Sequence, residues 1–140
     1  MDRIGTTFRL LLRVAGVAVL SLAALVDRSA GEDYGARLYG QHCSACHGAE
    51  GKGDGIVSQL MQPKPPDLTQ LAKKNGGKFP FYEIIQLVDG RETLRAHGKS
   101  DMPVWGEVFA ADEGSTPEAQ AVARGKVVLI VDHLERIQQK

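Results

Sequence analysis

The sequence predicts an all-α domain with a single core, and three observations carry that prediction. After Thr116, residues Ala119, Ala123, Val127, Ile130, Leu134 and Ile137 recur at spacings of three and four, which is a helical stripe. Residues Pro80 to Asp89 repeat the pattern over a shorter length, with Phe81, Ile84, Ile85 and Val88 on one face. The one run that could pass for a buried strand, Val127 to Val131, sits inside the longer periodic segment with no turn signals beside it. At 140 residues, 43% hydrophobic and 24% charged, the chain suits one small globular domain.

Residues 1–31 are set apart from that domain. Arg3, Arg9 and Arg13 give a basic start, and Val14 to Val26 is a continuous apolar run of the length of a secretory signal core. That run falls short of the roughly 20 residues a bilayer-spanning helix needs. Extending it back to Leu10 would bury Arg13. The segment therefore reads as an export signal. Asp27 and Arg28 spoil most small-x-small frames, so Ser29-Ala30-Gly31 before Glu32 is the best cleavage site. The weaker alternative is an uncleaved anchor, in which residues 10–26 would supply the only membrane contact. Without the first 31 residues the chain carries 13 basic against 15 acidic residues, a balance that argues against nucleic acid as a partner.

Residues 32–140 are expected to form the domain. Asp33 to His42 is helix-like, with Gly35 and Tyr39 four apart on one face and able to meet another helix closely. The glycines from Gly48 to Gly55 invite a phosphate-loop reading, which fails because the Gly-Lys within them, Gly51-Lys52, is followed by Gly53 rather than by Ser or Thr. A turn-rich wrap is the better account. Pro80 suits the first turn of the next helix and Gly90 its stop. For the last helix, Thr116 can cap, Pro117 suits the first helical position, and Glu118 favours the positive end. The added apolar width at Val128, Leu129 and Val131 fits either deeper burial or a subunit contact.

Both cysteines of the chain lie in His42-Cys43-Ser44-Ala45-Cys46-His47-Gly48. A disulfide between residues three apart closes too small a loop to remove much unfolded-state entropy. A redox-active Cys-x-x-Cys opens the helix of a βαβ unit, and no strand-rich run precedes this one. A zinc site using both sulfurs with His42 or His47 is strained and lacks a second ligand pair. None of these accounts for His47. In Cys-x-x-Cys-His, two thiols can add across the vinyl groups of a haem while the next imidazole binds the iron, so every position has a task. Cys43 and Cys46 are the expected thioether positions of one covalent haem c, and His47 its first axial ligand.

Four side chains could fill the second axial position: Met61, Met102, His97 and His133. Met61 follows His47 by only 14 residues and is better read as an apolar filler at the haem edge. Met102 lies 55 residues beyond His47, room for two helices and a return loop, and Pro103 stiffens the loop that would present its sulfur. Core packing is the lesser alternative for Met102, and His97 in the same loop is the second candidate ligand. His133 reads as a helix-packing residue.

With these residues in view, the chain resembles the small class I c-type cytochromes of bacteria across residues 32–140. The likeness rests on Gly35-Ala36-Arg37-Leu38-Tyr39, on Cys43-Ser44-Ala45-Cys46-His47-Gly48, on Pro65-Pro66-Asp67-Leu68 and on Met102-Pro103-Val104-Trp105-Gly106. The resemblance implies a cytochrome c-like helical domain wrapped round one covalently bound haem, with Met102 as sixth ligand. It also implies that the Pro66 carbonyl accepts the other ring hydrogen of His47, that Leu68, Pro103 and Trp105 help to bind the haem, and that the last helix crosses the one bearing Gly35 and Tyr39. His133 departs from the family, which generally has an aromatic residue there.

The expected function is one-electron transfer by a periplasmic carrier between redox protein partners, with no catalytic residues. A fixed electron-relay subunit of a larger oxidoreductase or respiratory complex is the alternative, and a haem enzyme or gas sensor with a labile sixth ligand is a more distant one. Lys52, Lys64, Lys73, Lys74, Lys78 and Lys99 could steer an acidic partner, although scattered lysines are more often a solvated surface.

Overall fold

The computed structural model describes residues 34–91 and 102–139, all within the compact unit Tyr34–Lys140. The expected export signal and its cleavage site, together with His97 and Lys99, lie outside the described residues. No described helix is long and apolar enough to cross a membrane.

Among the described residues the domain is helical, without a strand. Residues 34–42 form α1, a turn at Cys43 follows, and α2 is Ser44–His47. The turn keeps the backbone bonded, because the Cys43 N–H donates to Tyr39 O at 2.9 Å and the His47 N–H to Cys43 O at 2.9 Å. A loop then leads through short 3-10 turns at Ser58–Leu60 and Leu68–Gln70 into α3, Leu71–Lys74. Asp67 caps the second of these turns, accepting from Thr69 N at 2.9 Å and Thr69 Oγ1 at 2.6 Å.

Helix α4 is Phe81–Asp89, preceded by Pro80 and stopped by Gly90 in the left-handed region at φ 72°. Helix α5 is Trp105–Glu113, and α6 is Pro117–Arg136. The Thr116 side chain accepts from Ala119 N at 3.2 Å, so α6 starts with the cap that its sequence predicts.

Helix α6 is the spine of the core. Its stripe buries Ala119, Ala123, Val127, Ile130 and Leu134, while Ile137 sits half-buried just past the helix end. Val131 is fully buried and Val128 is exposed, so the extra apolar width is partly core and partly surface. Helices α4 and α5 pack on α6 and on each other. From α5 the core takes Phe109, and from α1 it takes Leu38 and Tyr39.

The crossing of α1 and α6 depends on Gly35. A Cβ there would run into the Leu129 carbonyl and lie 3.5 Å from His133 Cβ, so only hydrogen fits between the helices. One turn on, the Tyr39 and His133 rings stand 5.1 Å apart and tilted by 44°. His133 thus occupies an aromatic's place and packs as one.

Helix α5 has no counterpart in the sequence reading. Only Gly106 and Phe109 are buried along it, too few apolar contacts to register as a stripe, and Gly106 at its second position weakens the local preference. Tertiary packing of Phe109, between the rings of Trp105 and His42 and under the Lys126 ammonium, supplies what the pattern lacks.

Two predictions follow from the crossing. Gly35→Ala should cost about 1–3 kcal/mol in urea unfolding, as overpacking against fixed backbone does. Burial, with Arg136 adding to it, lowers the His133 pKa below its ordinary 6.5, while Asp132 opposes the shift. Its stabilising share is therefore complete above pH 6.5 and declines as the pH falls from there through the folded-state value. Replacing His133 by Phe should flatten that decline relative to wild type in thermal melts taken across this range.

Candidate haem site

Helices α1, α2, α4 and α6 and the segments at 61–68 and 102–105 enclose a cavity of about 450 Å³. That volume lies within the range of sites that bury a cofactor. Every site residue expected from the sequence lines it: Cys43, Cys46, His47, Pro66, Leu68, Met102, Pro103 and Trp105. Met61 lines it too, half-buried between the first 3-10 turn and Pro63. His133 does not appear in its wall, because it faces Tyr39.

The cavity wall is built by local bonds. Helix α2 carries the motif, and the Ser44 hydroxyl donates back to Gly40 O at 2.6 Å, tying α2 to the end of α1. The loop after it is stapled on both sides: the Gly53 N–H donates to His47 O at 2.8 Å, and the Leu68 N–H to Gly51 O at 2.7 Å. Gly53 has φ 76°, which favours glycine, and a Cβ there would strike the Pro65 carbonyl and lie 3.2 Å from Pro66 O. The glycine-rich turn thereby lets the Pro65-Pro66 backbone come in beside His47.

The chain end braces the same segment from behind. Gln138 Nε2 donates to Leu68 O at 2.8 Å and to Leu134 O at 2.7 Å, and its Oε1 accepts from Ala72 N at 2.9 Å. The Gln139 N–H donates to Thr69 O at 2.9 Å. Apart from the bond to Leu134, these join residues some 70 apart in sequence and escape any local reading.

Electrostatically the site is dry. Burial lowers the His47 pKa below its ordinary 6.5, with the Pro66 backbone working the other way. The ring is therefore neutral near pH 7, the form that binds metals. Its Nδ1 is buried without a hydrogen-bond partner, and the Pro66 backbone lies close enough to the ring to raise its pKa. Burial, with the neighbouring Cys46, pushes the Cys43 thiol up to about 12, and the two cysteines are not joined as a disulfide.

Sequence reasoning named the donors but missed much of the wall. His42 lines the cavity and meets Trp105 and Phe109 edge-on at 5.3 and 5.0 Å. The pairing of Trp105 and Phe109 at i and i+4 was its available signal. Tyr39 also lines the cavity while its hydroxyl donates to Gly48 O at 2.8 Å. Of the apolar lining, Ile84 and Val88 come from the Pro80 to Asp89 face, whose periodicity suits one wall of such a crevice, whereas Leu71, Ile130 and Leu134 carried no signal that separates cavity from core.

Two thiols, a neutral imidazole and a thioether facing one apolar cavity match what a haem requires, and the orphaned Nδ1 beside a backbone carbonyl suits an imidazole held to an iron by its other nitrogen. The fold and site thus define a helical haem-binding domain. The family model described as Cytochrome c matches residues 32–123, and the chain belongs to the cytochrome c family, with the class I subtype consistent with that match. It is a haem protein of electron transfer, and its cofactor is haem c. The match ends within α6, ahead of the Gln138 and Gln139 brace. Searches of the curated proteins and of the solved structures each found no match.

Because Gly53 is both left-handed and in contact with the Pro65-Pro66 backbone, Gly53→Val should destabilise the protein by about 1–3 kcal/mol, the usual cost of a strained backbone position. Thermal unfolding followed by far-ultraviolet circular dichroism measures it.

Proposed function

We propose that the protein is a periplasmic one-electron carrier with a single haem attached through Cys43 and Cys46 and held axially by His47 and Met102. The observation that carries this reading is the convergence of those four side chains on one apolar cavity. The haem iron supplies a centre that gains and loses one electron. The chain's residues do the rest. His47, kept neutral by burial, offers a nitrogen donor, and Met102 a soft sulfur donor that favours the reduced state. If His47 and Met102 both hold the iron, no position would be left open for oxygen, peroxide or another substrate. Leu68, Pro103, Trp105 and the α4 and α6 side chains keep water out, which disfavours the extra charge of the oxidised form. The Pro66 carbonyl is assigned to the Nδ1 hydrogen of His47, orienting the ring.

The residues of the leader support export, and covalent haem attachment through Cys-x-x-Cys-His fits that destination. Partners are redox proteins that meet the exposed haem edge in small, weak encounters. A fixed relay subunit of an oxidoreductase is the second reading, favoured by the apolar run Val14 to Val26 if it is retained as an anchor.

The deciding experiment is Met102→Ala. The carrier reading expects the reduction potential to fall by on the order of a hundred millivolts, within the span of about 0.8 V that axial ligands command. It also expects the reduced variant to bind carbon monoxide where the wild type does not. An unchanged potential and an unreactive iron in the variant would remove Met102 from the iron.

A further inference from the structure

An ion pair away from the cavity closes the base of the chain segment that carries Met102. Arg91 Nε and one terminal nitrogen each donate to a carboxylate oxygen of Asp89 at 2.6 Å, the two-pronged geometry in which guanidinium and carboxylate bind best. The other terminal nitrogen donates to Gln120 Oε1 on α6 at 2.8 Å. The pair is largely shielded, with side chains 24% and 18% exposed. It lies directly over Gly106, where a Cβ would come within 2.6 Å of both Arg91 Nε and Asp89 Oδ1. Just before it, Gly90 receives Val104, with the position of its missing Cβ 3.2 Å from Val104 Cγ1.

Met102 falls between Arg91 and Gly106 in the chain, so these contacts tie one end of its segment to α6 through Gln120 and set the other end against the ion pair at Gly106. We infer that Asp89, Arg91 and Gln120 are positioning residues that clamp the base of this segment and so hold the Met102 sulfur at the iron. The inference rests on Met102 being the sixth ligand. Its physical content is effective concentration: a tethered ligand whose two anchor points are fixed returns to its site more often than one on a slack loop. The guanidinium also keeps the Asp89 carboxyl below the ordinary carboxylate range, so the pair stays charged through neutral pH.

The test is displacement of Met102 by free imidazole in the oxidised, haem-loaded protein, followed by loss of the far-red band of thioether-bound iron. An added ligand binds in proportion to the fraction of molecules whose site stands open. Arg91→Ala and Asp89→Asn should therefore lower the half-displacing imidazole concentration by about tenfold, and Gln120→Ala, which spares the ion pair, by about two- to threefold. Thr116→Ala, which removes the cap of α6, serves as the stability control; its melting temperature should drop while its titration stays at the wild-type concentration. Wild-type titrations in the clamp variants, or an equal shift in Thr116→Ala, would overturn the clamp. If Arg91→Ala and Asp89→Asn do not mature, Gln120→Ala decides by the same criterion. A wild-type protein without the far-red band overturns the Met102 assignment itself, and the clamp with it.

Discussion

Removal of the His47 imidazole from water is the constraint on which the site depends. A buried imidazole loses the stabilisation that water gives its charged form, so the ring stays neutral and keeps a lone pair available. That state needs a backbone acceptor for the opposite nitrogen and an apolar wall around both. The Gly53 approach brings the Pro65-Pro66 backbone to the ring, and the Gln138 brace stops that backbone from moving away. A wrap of glycines and prolines that looks irregular in sequence is thus a support for one nitrogen atom.

The core serves the same end from the other side. Helix α6 supplies Ile130 and Leu134 to the cavity wall and Ala123, Val127 and Val131 to the packing behind it. Burial of side chains of this size contributes roughly 1.5–3 kcal/mol each for the larger aliphatic ones, more than the exposed ion pairs of the surface can offer. The small residues matter as much as the large. Gly35 sets how closely α1 meets α6, and α1 leads directly into the turn that carries Cys43, Cys46 and His47 to the cavity. Phe109 links the two halves, fully buried while its ring touches those of His42 and Trp105 at the cavity edge.

In the proposed carrier, this rigidity would let the same side chains serve both oxidation states. The proposed clamp of Asp89, Arg91 and Gln120 would extend that logic to Met102, the proposed sulfur ligand, which lies outside the helices. Nitrogen and sulfur are then held by different means. The first is set by the hydrogen-bonded turn from Tyr39 to His47, and the second, on the proposed clamp, by tying down the two ends of a segment.

The sequence by itself determined whatever acts over a few residues. The Cys-x-x-Cys-His spacing, the Thr116 cap, the Pro80 to Gly90 helix and the α6 stripe are all local, because turn chemistry and helical periodicity are written in neighbouring positions. Tertiary structure alone decided α5, whose order comes from Phe109 packing rather than from pattern. It also decided the role of Gln138 against Leu68 and Ala72, the meeting of Asp89 and Arg91 with Gly106 and Gln120, and the aromatic contact of His42. Each of these joins residues far apart along the chain, and a contact made by folding leaves no spacing rule in the residues that make it.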